Sequence, residues 1–365
     1  MAALGHEEAD RVPVHPRFND MTFLREFGVP RQNLPGNWMD QVREWLGVDD
    51  IIYGTGLDPP RKEDLEYEVN TQIVARHTDY YVTLTEYVTP AGTLRRRVRH
   101  GYYDADKIEE QSKDLEKDLG ALKYLWRCNH EKRSTKQAEE ESRKAVGEEK
   151  GVLLGGGGSA WNVLFEALGM VNLVLTAYKQ PDVIREALEA AHEDLMHETR
   201  VMLEKIDVDI ISLGAHAPTY LSPQMFDKFV FSYGKEMARL AREYGVHTIY
   251  HLDGKGSRMI EKLRDMGTTV LETIDPPPLG DFNMADAKKR VGNDICFLGG
   301  VDSMTIWKDT PKDVEKLTVK LMAEGAPGGG LIAGTGDSPP IGTPLANVQA
   351  LVKTAKKVGF YPMRR

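Results

Sequence analysis

The stretch that decides the fold is 247–272, where the run His247-Thr-Ile-Tyr250 precedes a helical segment at 256–266 and a second run, Thr269-Val-Leu-Glu272. Short runs of β-branched and apolar residues on either side of an amphipathic segment predict a strand, a helix and a strand. Strands joined through one helix must be parallel, because a parallel connection needs a crossover. The stretch therefore indicates a parallel α/β fold.

The same alternation continues on both sides of this stretch. Strands are predicted at 209–213, 247–250, 269–272, 295–298 and 329–333, and helices at 181–206 and near 222–243, 256–266, 283–291, 311–323 and 344–358. Consecutive units of this kind fit either a closed barrel or a doubly wound sheet, and periodicity alone does not separate the two.

The first 150 residues are less regular. Residues 80–88 and 94–99 flank a Pro-Ala-Gly turn and predict a β-hairpin, whereas 106–150 are strongly charged and helical in pattern. Because long insertions are common in large α/β folds, we expect one domain over 1–365 with hairpin and helical insertions at about 60–150.

Composition excludes several classes of protein. The net charge of −9 argues against nucleic-acid binding, which normally needs a concentrated basic face. No apolar run approaches the roughly 20 residues of a membrane span, and the first residues lack the pattern of a secretory signal. Cys128 and Cys296 are too few for a disulfide framework or a thiolate metal site. We therefore expect a cytoplasmic protein.

Polar side chains follow the predicted strands, and strand carboxyl ends form the functional face of a parallel α/β fold. An imidazole with several carboxylates at one edge could hold a metal such as zinc, or could act as general acid and base. Asp275 and Asp302 fit helix N-caps equally well. The candidates are His216, His251, Asp253, Glu272, Asp275, Asp302 and Asp337.

Four motifs resemble the uroporphyrinogen decarboxylase superfamily, and more closely its corrinoid-linked methyltransferase branch. The motifs are His6-Glu-Glu-Ala-Asp-Arg-Val-Pro13, Gly169-Met-Val-Asn-Leu173, Gly299-Gly-Val-Asp302 and Gly342-Thr-Pro-Leu-Ala-Asn347. The resemblance implies a (β/α)8 TIM barrel with an elaborated N-terminal region.

Two departures from the superfamily bear on the reaction. The decarboxylases carry an Arg-Gln-Ala-Gly-Arg-Tyr segment, where this chain has His15-Pro-Arg-Phe-Asn19. Methyltransferases that act on coenzyme thiols bind zinc through His-x-Cys and a distant Cys, and the matching residues here are His251, Asp253 and Asp337. Carboxylates in place of thiolates leave a more Lewis-acidic metal or a metal-free acid.

The resemblance therefore implies methyl transfer from a methoxylated aromatic, or a similar O- or N-methyl donor, to cobalt(I) of a corrinoid (cobalamin) carried by a partner protein. It assigns catalysis to His251, Asp253 and Asp337. Zinc, where bound, would take these three and Glu272 as ligands. The substrate-binding candidates are His216, Tyr220, Tyr250, Asp302 and Trp161.

Three alternatives stay open at this point. One is decarboxylation of a small carboxylic acid, for which Arg17 or Lys255 would have to bind the carboxylate. Another is a methylcobamide:thiol methyltransferase with altered zinc ligands. The third is a non-enzymatic subunit that binds a corrinoid protein. The sequence also leaves open the methyl donor and whether the chain forms a homodimer.

Overall fold

The computed structural model describes residues 1–17, 38–49, 51–101, 105–138, 140, 152–291 and 294–362. Part of the predicted helical insertion, 141–151, lies outside these residues. The strands are β1 (Ile51–Thr55), β2 (Glu68–Arg76), β3 (Tyr80–Thr89), β4 (Gly92–Gly101), β5 (Ala105–Glu109), β6 (Val152–Gly157), β7 (Ile210–Ala215), β8 (His247–His251), β9 (Val270–Glu272), β10 (Cys296–Val301) and β11 (Leu331–Thr335).

Helices connect the strands of the carboxyl-terminal half. The helices are α1 (Trp38–Leu46), α2 (Leu115–Trp126), α3 (Ala160–Leu168), α4 (Met170–Lys179), α5 (Pro181–Lys205), α6 (Ala217–Tyr220), α7 (Pro223–Phe226), α8 (Ser232–Glu243), α9 (Ile260–Met266), α10 (Met284–Val291), α11 (Ser303–Lys308), α12 (Pro311–Gly325) and α13 (Leu345–Val358). A π-helical turn, Asp227–Phe231, joins α7 to α8. Short 3-10 turns occur at Lys62–Asp64, His130–Lys132 and Ser257–Met259.

Seven strands form one curled sheet in the order β1-β6-β7-β8-β9-β10-β11, and every neighbouring pair is parallel. The predicted parallel α/β fold is confirmed, and each predicted strand of this half is present. The structure adds the short helix α11, which the sequence pattern did not predict. Within the described residues, the edge strands β1 and β11 do not pair with each other, so they do not close the sheet into a barrel.

The segment before α1 contacts the edge strand β11 and the residues just before the other edge strand, β1. His15 N–H donates to the carbonyl of Ala333 in β11, and Ala333 N–H donates to Pro13 O, each at 2.8 Å. On the other side, Asp49 N–H donates to Val14 O at 2.9 Å, two residues before β1 begins. Residues 12–15 therefore lie between β11 and the start of β1.

The predicted hairpin is the centre of a separate four-stranded antiparallel sheet, ordered β2-β3-β4-β5. β5 occupies part of 106–150, for which the sequence predicted helix, and α2 follows it. Leu94 of β4 and Leu115 and Leu122 of α2 are buried in the same hydrophobic cluster as the helices around the parallel sheet. The insertion is thus packed onto the main core.

A second, smaller cluster fills the amino-terminal ends of the parallel strands. Ala3 and Leu4 pack there against inward-facing side chains of the strands, among them Ile51, Ile210 and Cys296. The first residues of the chain thereby cover that end of the sheet. The opposite, carboxyl-terminal end carries the polar residues described next.

No single helix in the described ranges is long and apolar enough to cross a membrane. The pair α3 and α4 passes the length and composition test together, but it is bent by 113° at Gly169.

Candidate active site

The ends of β7, β8 and β9 bring two imidazoles and two carboxylates together. Asp253 Oδ1 lies 2.7 Å from His251 Nε2, and Asp253 Oδ2 pairs with His216 Nδ1. His251 Nδ1 lies 2.9 Å from Glu272 Oε2. The two histidine rings meet edge to face with centroids 5.1 Å apart. The four side chains form one continuous polar chain across three strand ends.

The backbone at the end of β7 turns His216 toward this cluster. His216 has φ 62°, in the left-handed region that non-glycine residues seldom adopt. Asn162, at the start of α3, accepts a hydrogen bond from Ala215 N–H and donates one to Ala215 O. Gly214 makes this approach possible, because a Cβ there would lie 2.8 Å from Ser159 Oγ. Contacts with the start of α3 therefore stabilise the strained backbone conformation of His216.

Arg17 reaches the same cluster from the N-terminal segment. Its Nη1 lies 2.7 Å from Glu272 Oε2 and 2.8 Å from His251 Nδ1, and its Nε lies 3.8 Å from Asp337 Oδ1. When His251 is protonated, Nδ1 donates to Glu272, so the guanidinium is bonded to the carboxylate rather than to the ring. Arg17 therefore joins the residues at 251 and 337 at one end of the sheet.

The protonation of the central pair follows from these contacts. Burial alone would lower the pKa of His251, but its hydrogen bonds to Asp253 and Glu272 outweigh burial and raise the pKa to about 9. Burial likewise opposes ionisation of Asp253, and the hydrogen bonds from His216 and His251 hold its pKa well below the usual range. At neutral pH the described residues thus form an imidazolium between two carboxylates.

Asp275, just beyond β9, has a different environment. Its side chain is buried, Gly254 N–H donates to Oδ2 at 3.0 Å, and Oδ1 has no hydrogen-bond partner among the described residues. Burial, with the nearby charges of Asp337, Asp253 and Asp302, raises the pKa of Asp275 to about 7. The sequence pattern fitted a functional residue and a helix N-cap equally well at Asp275, because its burial depends on contacts distant in the chain.

The substrate-binding candidates differ in their surroundings. Trp161 and Tyr250 are fully buried in the main hydrophobic cluster, where Trp161 packs against Phe229. Both side chains are closed to solvent, and their assignment to the substrate stays a prediction, since helical or strand spacing does not tell which face of an element is covered. Asp302 caps α11, where Oδ2 accepts from Thr305 N–H at 2.8 Å. Tyr220, at the end of α6, is 53% exposed.

The donor set that fits a metal ion differs from the one expected. His216, His251 and Asp253 each offer one ligand atom, and these atoms lie within 4.8 Å of one another. Two imidazole nitrogens and one carboxylate oxygen are a common zinc set. Glu272 and Asp337 face the guanidinium of Arg17 instead. Within the described residues, His216 therefore takes the position that the sequence assigned to Glu272 or Asp337.

Residues 114–358 match the family model "Uroporphyrinogen decarboxylase (URO-D)". The chain belongs to the uroporphyrinogen decarboxylase family. This membership confirms the resemblance inferred from the four sequence motifs.

Proteins similar in sequence to this chain include uroporphyrinogen decarboxylases and a methyltransferase. A uroporphyrinogen decarboxylase of Crocosphaera subtropica is 25% identical over 227 residues, which are 59% of this chain and 60% of that protein. The methylated-thiol–coenzyme M methyltransferase of Methanosarcina mazei is 28% identical over 120 residues, 33% of this chain and 30% of that protein. The chain thus spans about three fifths of the decarboxylase and less of the methyltransferase.

A solved structure shares the fold over nearly the whole chain. It is described as a methyltransferase from Methanosarcina mazei, and it superposes with a TM-score of 0.63 at 18% identity, covering 98% of this chain and 96% of that one. At this identity the likeness shows the fold.

Proposed function

We propose that the chain transfers a methyl group from an oxygen or nitrogen donor, such as a methoxylated aromatic, to cobalt(I) of a corrinoid protein. The observation that carries the proposal is the grouping of His216, His251 and Asp253 at the strand ends. The partial match to a named methyltransferase supports methyl transfer as the reaction class. Residues 12–15 would take the place of the eighth strand of a (β/α)8 barrel.

The proposed reaction moves the methyl group without its bonding electrons. The bond between methyl carbon and donor oxygen breaks, and its electron pair stays on the oxygen. The electron pair of cobalt(I), which enters as a substrate on the partner protein, forms the new bond to carbon. The departing oxygen then needs a proton or a Lewis acid, because an unassisted phenolate is expelled poorly.

The two imidazoles suit different parts of this task. Both ring nitrogens of His251 are engaged, by Asp253 and Glu272, so His251 fixes the orientation of Asp253. Asp253 holds Nδ1 of His216, which leaves Nε2 to face the donor oxygen. His216 is also partly exposed, so its ring can be reached by a substrate. In the metal-free protein, His216 as an imidazolium, with Nδ1–H donated to Asp253, would give its Nε2 proton to the departing oxygen.

A zinc ion would be held by His216, His251 and Asp253, and it would supply Lewis-acid polarisation of the donor oxygen. Three protein ligands leave an open coordination position, which is typical of catalytic zinc sites. Harder ligands than the thiolates of the thiol-methylating relatives favour activation of an oxygen donor over stabilisation of a thiolate.

Metal analysis and a methyl-transfer assay test the proposal together. We expect about one zinc per chain, lost in His216→Ala but retained in His197→Ala, whose exposed histidine lies on α5. Cobalt(I) cobalamin mixed with the protein and a panel of methoxylated compounds should give the visible spectrum of methylcobalamin. His216→Ala should lower that rate by about 100-fold, and His197→Ala should not.

Failure of every oxygen and nitrogen donor to methylate cobalt(I) would refute the proposal. Release of CO2 from a carboxylic acid at a comparable rate would instead favour decarboxylation, the reaction named in the decarboxylase relatives.

A further inference from the structure

We infer that the methyl donor carries no negative charge, so that neutral and cationic methyl ethers are substrates and methoxybenzoates are rejected. This inference rests on the proposed function and narrows its substrate class. It depends on the surplus of carboxyl groups over cationic groups among the described residues of the candidate active site.

Carboxyl groups follow four consecutive strands of the parallel sheet. The groups are Asp253 after β8, Glu272 and Asp275 at the end of β9, Asp302 after β10 and Asp337 after β11. Gly254 N–H, next to Asp253, donates to Asp275 Oδ2 at 3.0 Å, and Ser303 Oγ, next to Asp302, donates to Asp337 O at 2.6 Å. One end of the sheet therefore carries a concentrated negative potential.

Part of this negative charge is uncompensated. Asp275 and Asp302 are both 2% exposed, and Oδ1 of each has no hydrogen-bond partner among the described residues. A buried carboxylate oxygen without a donor interacts strongly with any charge brought near it, because little water screens it. An incoming anion would be repelled by Asp302 and by the ionised form of Asp275, whereas a cation or a hydrogen-bond donor would be attracted.

Among the described residues, the cationic side chains Arg17 and His251 are engaged with the site's own carboxylates. Arg17 contacts Glu272 at 2.7 Å and approaches Asp337, and His251 lies between Glu272 and Asp253. A substrate carboxylate would have to displace Glu272 from Arg17 to gain a comparable bond. Lys255 is exposed, so its charge is screened by solvent. A bound divalent metal would add two positive charges, and the carboxyl groups would still outnumber the cationic groups.

Three compounds with one ring framework isolate the effect of charge. At pH 7.5, 3-methoxybenzoate is anionic, 3-methoxybenzamide is neutral and 3-methoxybenzylamine is cationic. We expect calorimetric binding to the full chain to follow the order amine, amide, acid, with the acid at least about tenfold weaker than the amide. The rates of cobalt(I) methylation should follow the same order.

Substitution of single carboxylates tests whether the order of the three affinities arises from the charge of this site. Asp337→Asn removes one negative charge from the site. It should lower the ratio of the amide's affinity to the acid's affinity by about threefold or more. Glu324→Gln removes one negative charge from α12, where Glu324 pairs with Lys320, and should leave this ratio of affinities unchanged. Circular dichroism establishes that both variants are folded.

The outcomes separate this inference from the proposed function. An acid that binds as tightly as the amide overturns the inference, and so does the absence of any dependence on charge, including no binding of all three. Binding in the expected order without methylation of cobalt(I) leaves the inference standing and contradicts the proposed reaction.

Discussion

Replacement of Asp275 by asparagine should stabilise the protein, and more so as the pH rises. Asparagine has nearly the same shape and keeps a carbonyl oxygen to accept the hydrogen bond of Gly254 N–H. It removes the carboxyl group whose ionisation is disfavoured by burial and by the neighbouring carboxylates. The substitution therefore relieves an electrostatic cost that the wild-type protein carries only when Asp275 is charged.

The magnitude follows from the two pKa values. Below the ordinary value of 3.8 the group is protonated in both states and costs nothing. As the pH rises from 3.8 toward about 7, the unfolded chain ionises while the folded chain stays protonated, so the free energy of unfolding falls. The full cost above pH 7 is about 4 kcal/mol, of which about 2 to 3 kcal/mol develops between pH 5 and pH 8.

Urea unfolding at pH 5 and pH 8, followed by tryptophan fluorescence on protein treated with a chelator, measures this difference. The stability of Asp275→Asn relative to wild type should increase by about 2 to 3 kcal/mol between the two pH values. Asp207→Asn, at an exposed carboxylate, should show no such increase. A stability gap for Asp275→Asn that stays constant or shrinks with rising pH would refute the assignment of a raised pKa.

The remaining predictions concern the N-terminal segment and the core. Asp49→Ala removes both 2.6 Å hydrogen bonds of Arg11 and should lower the free energy of unfolding by about 1–3 kcal/mol, as urea unfolding would show. Gly334→Ala places a Cβ 2.3 Å from His15 O, so it should cost about 1–3 kcal/mol, and an unchanged stability would contradict the contact between β11 and that segment. Trp161→Ala should lower the free energy of unfolding by about 3–5 kcal/mol, because the side chain is buried in the main hydrophobic cluster. The zinc content of the folded protein should not change.

The sequence predicts the carboxyl-terminal half well because its signals are local. Strands of the parallel sheet are buried on both faces and read as short apolar runs, and the helices between them keep one apolar face. The hairpin at β3 and β4 was predicted for the same reason, from alternation around a turn. β5 was missed, because the charged residues of Ala105–Glu109 lie on an exposed strand whose pairing with β4 has no apolar pattern.

The sequence predicted that His216, His251, Asp253, Glu272 and Asp337 follow strand ends, and the structure brings these side chains to one end of the sheet, in direct contact or through Arg17. His251 and Asp253 follow one strand, so their proximity could be inferred from the strand end alone. The contact of Arg17 with His251 spans 234 positions and has no local signal. His216 joins the cluster through a left-handed backbone conformation, which a sequence pattern of this kind does not reveal.

The chemistry of the proposed metal ligands is related to the number of carboxylates near them. Thiolate ligands would neutralise a divalent metal within its own coordination shell, so a site built on them has less need of further charges. Here two imidazoles and Asp253 would leave most of the metal's charge unmatched, and Glu272, which contacts His251, and Asp337, which Arg17 approaches, follow neighbouring strand ends. Without a metal, His251 and Arg17 supply the positive charge that those carboxylates require. Among the described residues, an anionic substrate finds no cationic side chain at the strand ends that is not already paired with a carboxylate, and in the metal-bound protein it would compete with resident carboxylates for the metal.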